Sequence, residues 1–430
     1  MYSQFLNNDA PAKIRSLLSK EVCDILLKIG NFADKKSLHV FAVGGFVRDL
    51  ILNKPNFDID IVVEGDAKSF VTELASEFNA EFKIFDRFHT AKIYSENINF
   101  DFSSSRKEMY EYPGALPDVS FSNIYDDMFR RDFTINAMAL SLNSDNLFKI
   151  IDYFGGIKDL EARIIRVIHK KSFEDDPTRL YRALRFAHRF GFEFDEETNY
   201  LFKQAIKDKR VSSLSVKRVA SEISKIFKEN LPGTIIEQLT KNRMLKHFAQ
   251  NVKIPPIEPI GVENILSADL EAVYWICFLS QMPPTFKSET IDQLGLPHSS
   301  RVKILDGLDA FKKIPNALEE LTCQDHIKLY YLLKKHCIEG LLALCYFKLN
   351  KINSEKIVYY LKNLRLIAPL ISGKDLIDND IPAGQHIKNI LNYITELRLE
   401  NKSLSKLEEL EIAKQLYSNI QHKNSFQRHL

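Results

Sequence analysis

The period of the hydrophobic pattern changes near residue 170. From about residue 38 to 168, apolar residues fall in short β-type runs, HVFAVGG, FDIDIVV, KIYSENINFDF, FKIIDYF and IIRVI, separated by short helical stretches. This predicts a small mixed α/β domain. From about residue 172 onward, in DDPTRLYRALRFAHRF, VKRVASEISKIF and nearly everything after them, apolar residues recur at helical spacing. The expected class is therefore α+β, with the sheet first and a long all-helical part behind it. Breaks at LPGT (231–234), VKIPPIEPIG (252–261) and QMPPTF (281–286) divide the helical part into two or three subdomains.

Within FDIDIVVEG (57–65) the alternation puts Phe57, Ile59, Ile61 and Val63 on one face and Asp58 and Asp60 together on the other. Carboxylates two residues apart on a strand have Cα atoms roughly 6.5 Å apart. They can share Mg²⁺ ions, which neutralise the repulsion and clamp the oxygens of a phosphoryl transfer. A solvated outer face would give the same pair, but VGGFVRDLIL lies just upstream. There an apolar strand runs into Gly44 and Gly45, and a short helix follows with Arg48 and Asp49. Paired glycines allow a sharp turn and close approach to a ligand, leaving backbone amides and Arg48 for phosphate oxygens. Asp101 alternates with Ile98, Phe100 and Phe102 in the second half of a hairpin. It is a candidate third acid, although an outward polar strand position explains it equally well.

Two later stretches carry charge. In RRDFTINAMAL (130–140), Asp132 is expected to cap a helix behind Arg130 and Arg131, and Asn136 falls in its apolar part, where it needs partners from a sugar or from the backbone. In FEDDPTRLYRALRFAHRF, Asp176 before Pro177 starts a helix. On that helix Arg179, Arg182, Arg185 and Arg189 share an arc of about 120°, opposite Leu180, Ala183, Leu184, Ala187 and Phe190.

Composition sharpens this picture in three places. The chain has 430 residues, 45% of them hydrophobic, enough for two or more folding units. Net charge is only +2, so any nucleic-acid surface has to be local; residues 163–218 hold fourteen Lys/Arg against eight Asp/Glu. Five scattered cysteines without CxxC spacing argue against a disulfide framework or zinc knuckle. The N-terminal residues lack a basic and then apolar leader, and no apolar stretch is long enough to span a bilayer, so a cytoplasmic, unprocessed protein is expected.

Together these stretches resemble the class II tRNA nucleotidyltransferases, the CCA-adding enzymes and their bacterial poly(A) polymerase relatives in the polymerase beta superfamily. VGGFVRDLILN and FDIDIVVEG look like the family's first motif, RRDFTINA like its second and DYFGGIKDLEARIIRVI like its third. DDPTRLYRALRFAHRFGF is similar to the fourth and VKRVASEI to the fifth. The likeness is close over roughly residues 38–230, and ISGKDLIDNDIPAGQHIKNIL looks like the family's tail.

The resemblance implies a nucleotidyltransferase head (1–168), a helical neck (169–235), a body (236–350) and a tRNA-binding tail (351–430), gripping the tRNA acceptor arm as a hook. It implies that Asp58 and Asp60 hold catalytic Mg²⁺, with Asp101 as a further acid. Gly45 and Arg48 would meet the nucleotide phosphates, with Arg131, Asp132 and Asn136 nearby. Asp176 and Arg179 would read the incoming base, and Arg182 and Arg185 would complete the pocket. A flexible loop would include Arg106, Tyr110, Tyr112 and Pro113. One departure is Asp175-Asp176, where the family usually has Glu-Asp.

The implied reaction is template-free addition of CMP or AMP to the tRNA 3′ end, with ATP and possibly CTP as substrates. CC-only addition is disfavoured because SSSRKEMYEYPGALPDVSFSN is intact. A poly(A) polymerase and a non-catalytic RNA-binding relative are the alternatives.

Overall fold

A computed structural model of the chain describes all residues except 1, 8, 55–57, 79–80, 86–89, 95–98, 113, 116, 250, 258–266, 284–285, 287, 401 and 427–430. Phe57, Ile98 and the loop residue Pro113 therefore lie outside the described residues. The chain forms two units, residues 1–230 with 238–250, and residues 231–237 with 251–430.

The first unit is built on a seven-stranded sheet. Its strands are β1 (Val40–Val43), β2 (Asp58–Val63), β3 (Phe82–Phe85), β4 (Thr90–Tyr94), β5 (Asn99–Ser104), β8 (Ala139–Ser141) and β9 (Ile150–Ile151), in the order β3-β4-β5-β2-β1-β8-β9. A separate two-stranded ribbon is made by β6 (Arg106–Met109) and β7 (Asp118–Phe121). Only β2 and β5 pair in parallel within the large sheet, which sets Asp60 level with Asp101. The expected alternation is present in β2: Ile59 and Ile61 are buried while Asp58 and Asp60 are exposed. β1, buried on both faces, is continuously apolar as a central strand must be.

Helices cover the sheet. After α1 (Ala10–Leu17), α2 (Lys20–Lys35) is capped by Ser19, whose hydroxyl accepts from the Val22 amide at 3.2 Å. It buries Val22, Cys23, Leu26, Ile29, Phe32 and Ala33 along one stripe. The helices α3 (Gly45–Ile51), α4 (Ala67–Phe78), α5 (Ile124–Phe129) and α6 (Gly156–Ala162) complete the head. Short α7 (Ser172–Asp175) then leads to α8 (Thr178–Phe190), α9 (Glu196–Lys207) and α10 (Val216–Phe227). The small strands β10 (Ile164–Ile165) and β11 (Glu193–Phe194) pair in parallel beside them.

One local expectation fails. RRDFTINAMAL does not begin a helix: Thr134–Asn136 is a single 3-10 turn, and Ala139 already enters β8. The reason is tertiary. The run from Ile135 to Leu140 is buried throughout, and its backbone is needed for the ladder with β1, which overrides helical periodicity.

The second unit is helical. The segment Leu270–Leu279 buries nearly every side chain, Trp275 included, and packs with His298–Glu319 and Ile338–Ala343. The approach is close enough that a Cβ on Gly307 would stand 2.5 Å from Ile276. Further along, Ile371, Leu376, Ile381, Ile390, Ile394 and Ala413 form their own small core. There the buried Glu409 carboxylate accepts from the Leu370 amide at 2.8 Å and the Ile371 amide at 3.0 Å and pairs with Arg398.

Candidate active site

The chemistry-bearing motifs of the first unit converge on one cleft of about 540 Å³. Gly45, Arg48, Asp60, Tyr110, Arg131, Asp132, Asn136, Asp176, Arg179, Arg182 and Arg185 all line it. Asp58, Asp101, Arg106 and Tyr112 do not line it. Seven arginines face four carboxylates in its wall, so the cleft is cationic and suited to a polyphosphate.

Gly44 makes the turn from β1 into α3. Its φ of 70° is a conformation that L side chains avoid, and an added Cβ would lie 2.6 Å from Nη1 of Arg131. Glycine is needed twice over, for the turn and for the arginine beside it. The amide of Gly45 belongs to the first turn of α3 and has no acceptor within the helix.

On the exposed face of β2, Asp58 and Asp60 stand in line, and Asp101 lies across from Asp60. The Asp60 carboxyl is pushed above its ordinary value by the protein crowding around it and, less strongly, by Asp101 and Asp58; Arg131 opposes this. Lys92 compensates Asp101 at 2.8 Å. Among the described residues no group of three or more His, Cys, Asp or Glu converges as a ready metal nest. The donor set is thus an accessible pair of hard oxygen ligands beside a third acid already neutralised. Their mutual repulsion at Asp60 is what a divalent cation relieves, so the pair fits such an ion.

The arginines are held rather than loose. Arg48, almost fully buried, donates to Asp49 at 2.8 Å through both Nε and Nη2, and to Asn136 Oδ1 at 2.5 Å. Asn136 in turn donates to Asp132 at 2.9 Å. Asp132 accepts from Arg182 at 2.8 and 2.5 Å. Burial alone would raise the Asp132 carboxyl, but Arg182 and the hydrogen bonds outweigh it and hold it at about 2. Asp132 is therefore the joint between the head and α8, where the sequence suggested a helix cap. The Asn136 partners are side chains of the motifs themselves.

On α8 the predicted arginine stripe is real but folded inward. Arg179 donates to Ser172 Oγ at 2.7 Å and to the Arg130 carbonyl at 2.6 Å. Arg185 and Arg189 both reach Glu229. The Phe186 ring sits among four guanidiniums, those of Arg48, Arg182, Arg185 and Arg189, with centroid distances of 4.5 to 5.8 Å. The stripe is thus a pocket wall, with all four arginines lining the cleft.

Asp176 stands just before Pro177, the N-cap of α8, and accepts from the Thr178 amide at 2.9 Å and hydroxyl at 2.6 Å. The same oxygen, Oδ1, is also held by Arg218 at 2.7 Å. Arg218 reaches the Gly114 carbonyl at 2.8 Å as well, tying α10, the loop and Asp176 together.

Three supporting residues were missed from sequence. Asp127, fully buried, pairs with Arg130 at 2.6 Å and Arg131 at 2.9 Å. Burial works to raise its carboxyl, but the two guanidiniums prevail and hold it low. Its spacing three and four residues before the arginine pair was the available signal. Glu108 joins Arg106 at 2.9 Å, Arg130 at 3.2 Å and the Tyr110 hydroxyl at 2.8 Å. Burial and Glu108 push the Tyr110 phenol well above its ordinary range, so it stays a protonated donor. Arg218 had no sequence signal beyond its place in the fifth motif.

The family model described as the poly A polymerase head domain matches residues 40–166. The A-adding tRNA nucleotidyltransferase of Geobacter sulfurreducens is 31% identical over 424 residues, covering 93% of this chain and 47% of that protein. The chain spans about half the length of this and other curated A-adding relatives it matches. A solved CCA-adding enzyme in an apo form is 30% identical with a TM-score of 0.70, covering 93% of this chain and 97% of that one. A Thermotoga maritima CCA-adding enzyme complexed with tRNA is 28% identical with a TM-score of 0.66, covering 95% and 97%. The likeness runs through both units, and the chain belongs to the class II tRNA nucleotidyltransferase family, whose head is the poly(A) polymerase head domain.

Proposed function

We propose that this chain transfers AMP from ATP to the 3′ end of tRNA without a nucleic-acid template, completing the CCA terminus. The observation that carries the reading is the convergence of Asp60, the Gly44–Gly45 turn and the Asp176–Arg179 pair on one arginine-lined cleft, with Asp58 beside Asp60 on the same exposed strand face. AMP is chosen because the A-adding enzymes of Geobacter sulfurreducens and Aquifex aeolicus are 31 and 32% identical over 93 and 84% of the chain, and that of Halalkalibacterium halodurans is 37% identical over 52% of it. Enzymes of the polymerase beta type typically use divalent metals, and Mg²⁺ is the ion proposed here. The neck, body and tail division and a cytoplasmic location belong to the same proposal. Five cysteines without a disulfide suit a reducing compartment, and among the described residues no helix is long and apolar enough to cross a membrane.

Asp58 and Asp60 would hold Mg²⁺, which when bound lowers the pKa of the attacking hydroxyl and offsets charge on the leaving pyrophosphate. Gly45, Arg48 and Arg131 orient the triphosphate so that its α-phosphorus lies in line with the RNA 3′-hydroxyl. Asp101, level with Asp60, extends the acidic edge on which that hydroxyl is presented. Asp176 accepts from the adenine exocyclic amine through Oδ2, because Oδ1 is already committed to Thr178 and Arg218. Arg179, its fork held by Ser172 and the Arg130 carbonyl, donates to the adjacent ring nitrogen. Guanine and uracil place a carbonyl against Asp176, a mismatch worth about 1–3 kcal/mol. Arg182 and Arg185 close the pocket.

The test is incubation of the chain with tRNA transcripts ending before CCA, after C and after CC, each with Mg²⁺ and either ATP or CTP. AMP incorporation on the CC-ended RNA alone is expected. CMP incorporation would move the reading to full CCA addition, and no incorporation on any transcript would remove it.

A further inference from the structure

Beside the cleft lies a surface of rings that nothing in the reaction above uses. Tyr125 and Phe129 sit one turn apart on α5, where Ile124, Asp127 and Met128 are buried and Asp126 is half-buried. Tyr153 and Phe154 come from the turn between β9 and α6, and His169 from the segment before α7. Tyr125 and Phe129 are nearly parallel, with centroids 6.5 Å apart, and His169 stacks on Phe129 at 4.9 Å. Tyr153 and Phe154 meet Tyr125 edge-on or tilted at 5.2 and 5.5 Å. Tyr125, Phe129 and Tyr153 are nevertheless 46, 42 and 52% exposed. A chain that needed these rings only as core would have covered them.

We propose that the Tyr125, Phe129, Tyr153, Phe154 and His169 surface is a stacking platform for the unpaired bases at the 3′ end of the RNA substrate. The inference rests on the nucleotidyltransferase reading for the identity of that RNA. It draws on continuity with the cleft: Phe129 directly precedes Arg130, a cleft residue, and His169 lies 3.8 Å from Asp175, the neighbour of Asp176. Burial, with Arg179 and Lys171 close by, pulls the imidazole of His169 down to about 4, so it presents a neutral π face at physiological pH. Lys170, 3.7 Å from the exposed Glu197, and Lys171 follow it on the surface, where phosphates of a stacked strand would compete for the ammonium groups.

The carboxylates flanking the rings in sequence are engaged inward. Asp152 accepts from the Gly156 amide at 2.7 Å and the Ile157 amide at 2.9 Å, and Asp126 accepts from Ser122. Lysines beside rings at the mouth of an arginine-walled cleft favour a polyanion with bases over a protein partner. Stacking is tolerant of base identity, as an enzyme acting on many tRNAs requires.

The test uses the full chain and a CC-ended tRNA transcript carrying 2-aminopurine in its unpaired 3′ tail, without nucleotide or metal. Stacking on the wild-type surface should quench the probe. The double variant Tyr125→Ala/Tyr153→Ala should abolish the quench and raise the KM for tailed RNA by about 10-fold, with the KM for ATP unmoved. Tyr125→Trp should restore stacking and guards against misfolding of the alanine variant. Unchanged quenching and RNA KM in the double variant would overturn the platform. So would a change confined to self-association in sedimentation, which would make the surface a protein interface. Quenching in the nucleotide-free mixture, followed by no AMP incorporation once ATP and Mg²⁺ are added, would keep the platform and remove the enzyme reading, so the two fail separately.

Discussion

Asp132→Asn tests whether the joint between the head motif and α8 holds the site together. The Asp132 carboxyl, ordinarily at 3.8, is held at about 2 in the fold. That difference corresponds to about 2 kcal/mol of folding free energy, at about 1.4 kcal/mol per pKa unit. Because the folded-state pKa is depressed, this stabilisation is present in full above the unfolded value near 4. It is lost as pH falls towards 2. At neutral pH the variant should therefore unfold with about 2 kcal/mol less stability. Below pH 4 the gap should close.

Urea unfolding followed by far-UV circular dichroism measures it. The chain's single tryptophan, Trp275, lies in the second unit, so its emission reports that unit separately and should not shift. Asp132→Asn should also raise the KM for ATP, since Arg182 loses the carboxylate that aims it into the cleft. A stability gap that is independent of pH, or below about 0.5 kcal/mol at neutral pH, would show that the Asp132–Arg182 pair is not the joint inferred here.

Further expectations follow from the same geometry. Asp60→Asn should reduce incorporation to background at any Mg²⁺ concentration while RNA affinity in a filter-binding assay is retained; residual turnover that rises with Mg²⁺ would remove Asp60 from the metal pair. Arg218→Ala leaves Asp176 Oδ1 held by Thr178 alone and removes the guanidinium from the Gly114 carbonyl. Loss of one partly exposed charge-assisted bond, about 1 kcal/mol, should cut the preference for ATP over GTP and UTP roughly 5-fold, and unaltered kcat/KM ratios would leave Arg218 a purely structural residue. Gly44→Ala should cost about 1–2 kcal/mol for its positive φ and displace Arg131, seen as a several-fold higher KM for ATP in a pyrophosphate-release assay; an unchanged KM would mean that Arg131 does not meet the nucleotide.

The placement of Asp58 and Asp60 was legible from sequence because strand alternation is a local rule: a two-residue period puts them on one face whatever surrounds them. The glycine turn before Arg48 and the start of α8 at Asp176-Pro177 were legible for the same reason. Each depends on the φ preference or hydrogen bonding of two or three adjacent residues. The mixed head and the helical remainder followed from hydrophobic period alone.

What the arginines do was a tertiary decision. Helical spacing put Arg179, Arg182, Arg185 and Arg189 on one arc and charge counting marked residues 163–218 as basic, but Glu229, Asp132, Ser172 and the Arg130 carbonyl decide how the guanidiniums are held in the wall. Those partners lie 7 to 50 residues away along the chain, beyond any local pattern. RRDFTINAMAL became a turn and the start of a strand because β1 needed a hydrogen-bonded neighbour, a demand that exists only once the sheet has formed. Local chemistry named most of the residues in the cleft; the long-range pairing of buried charges, required because an unpaired charge is too costly to bury, decided how they face one another.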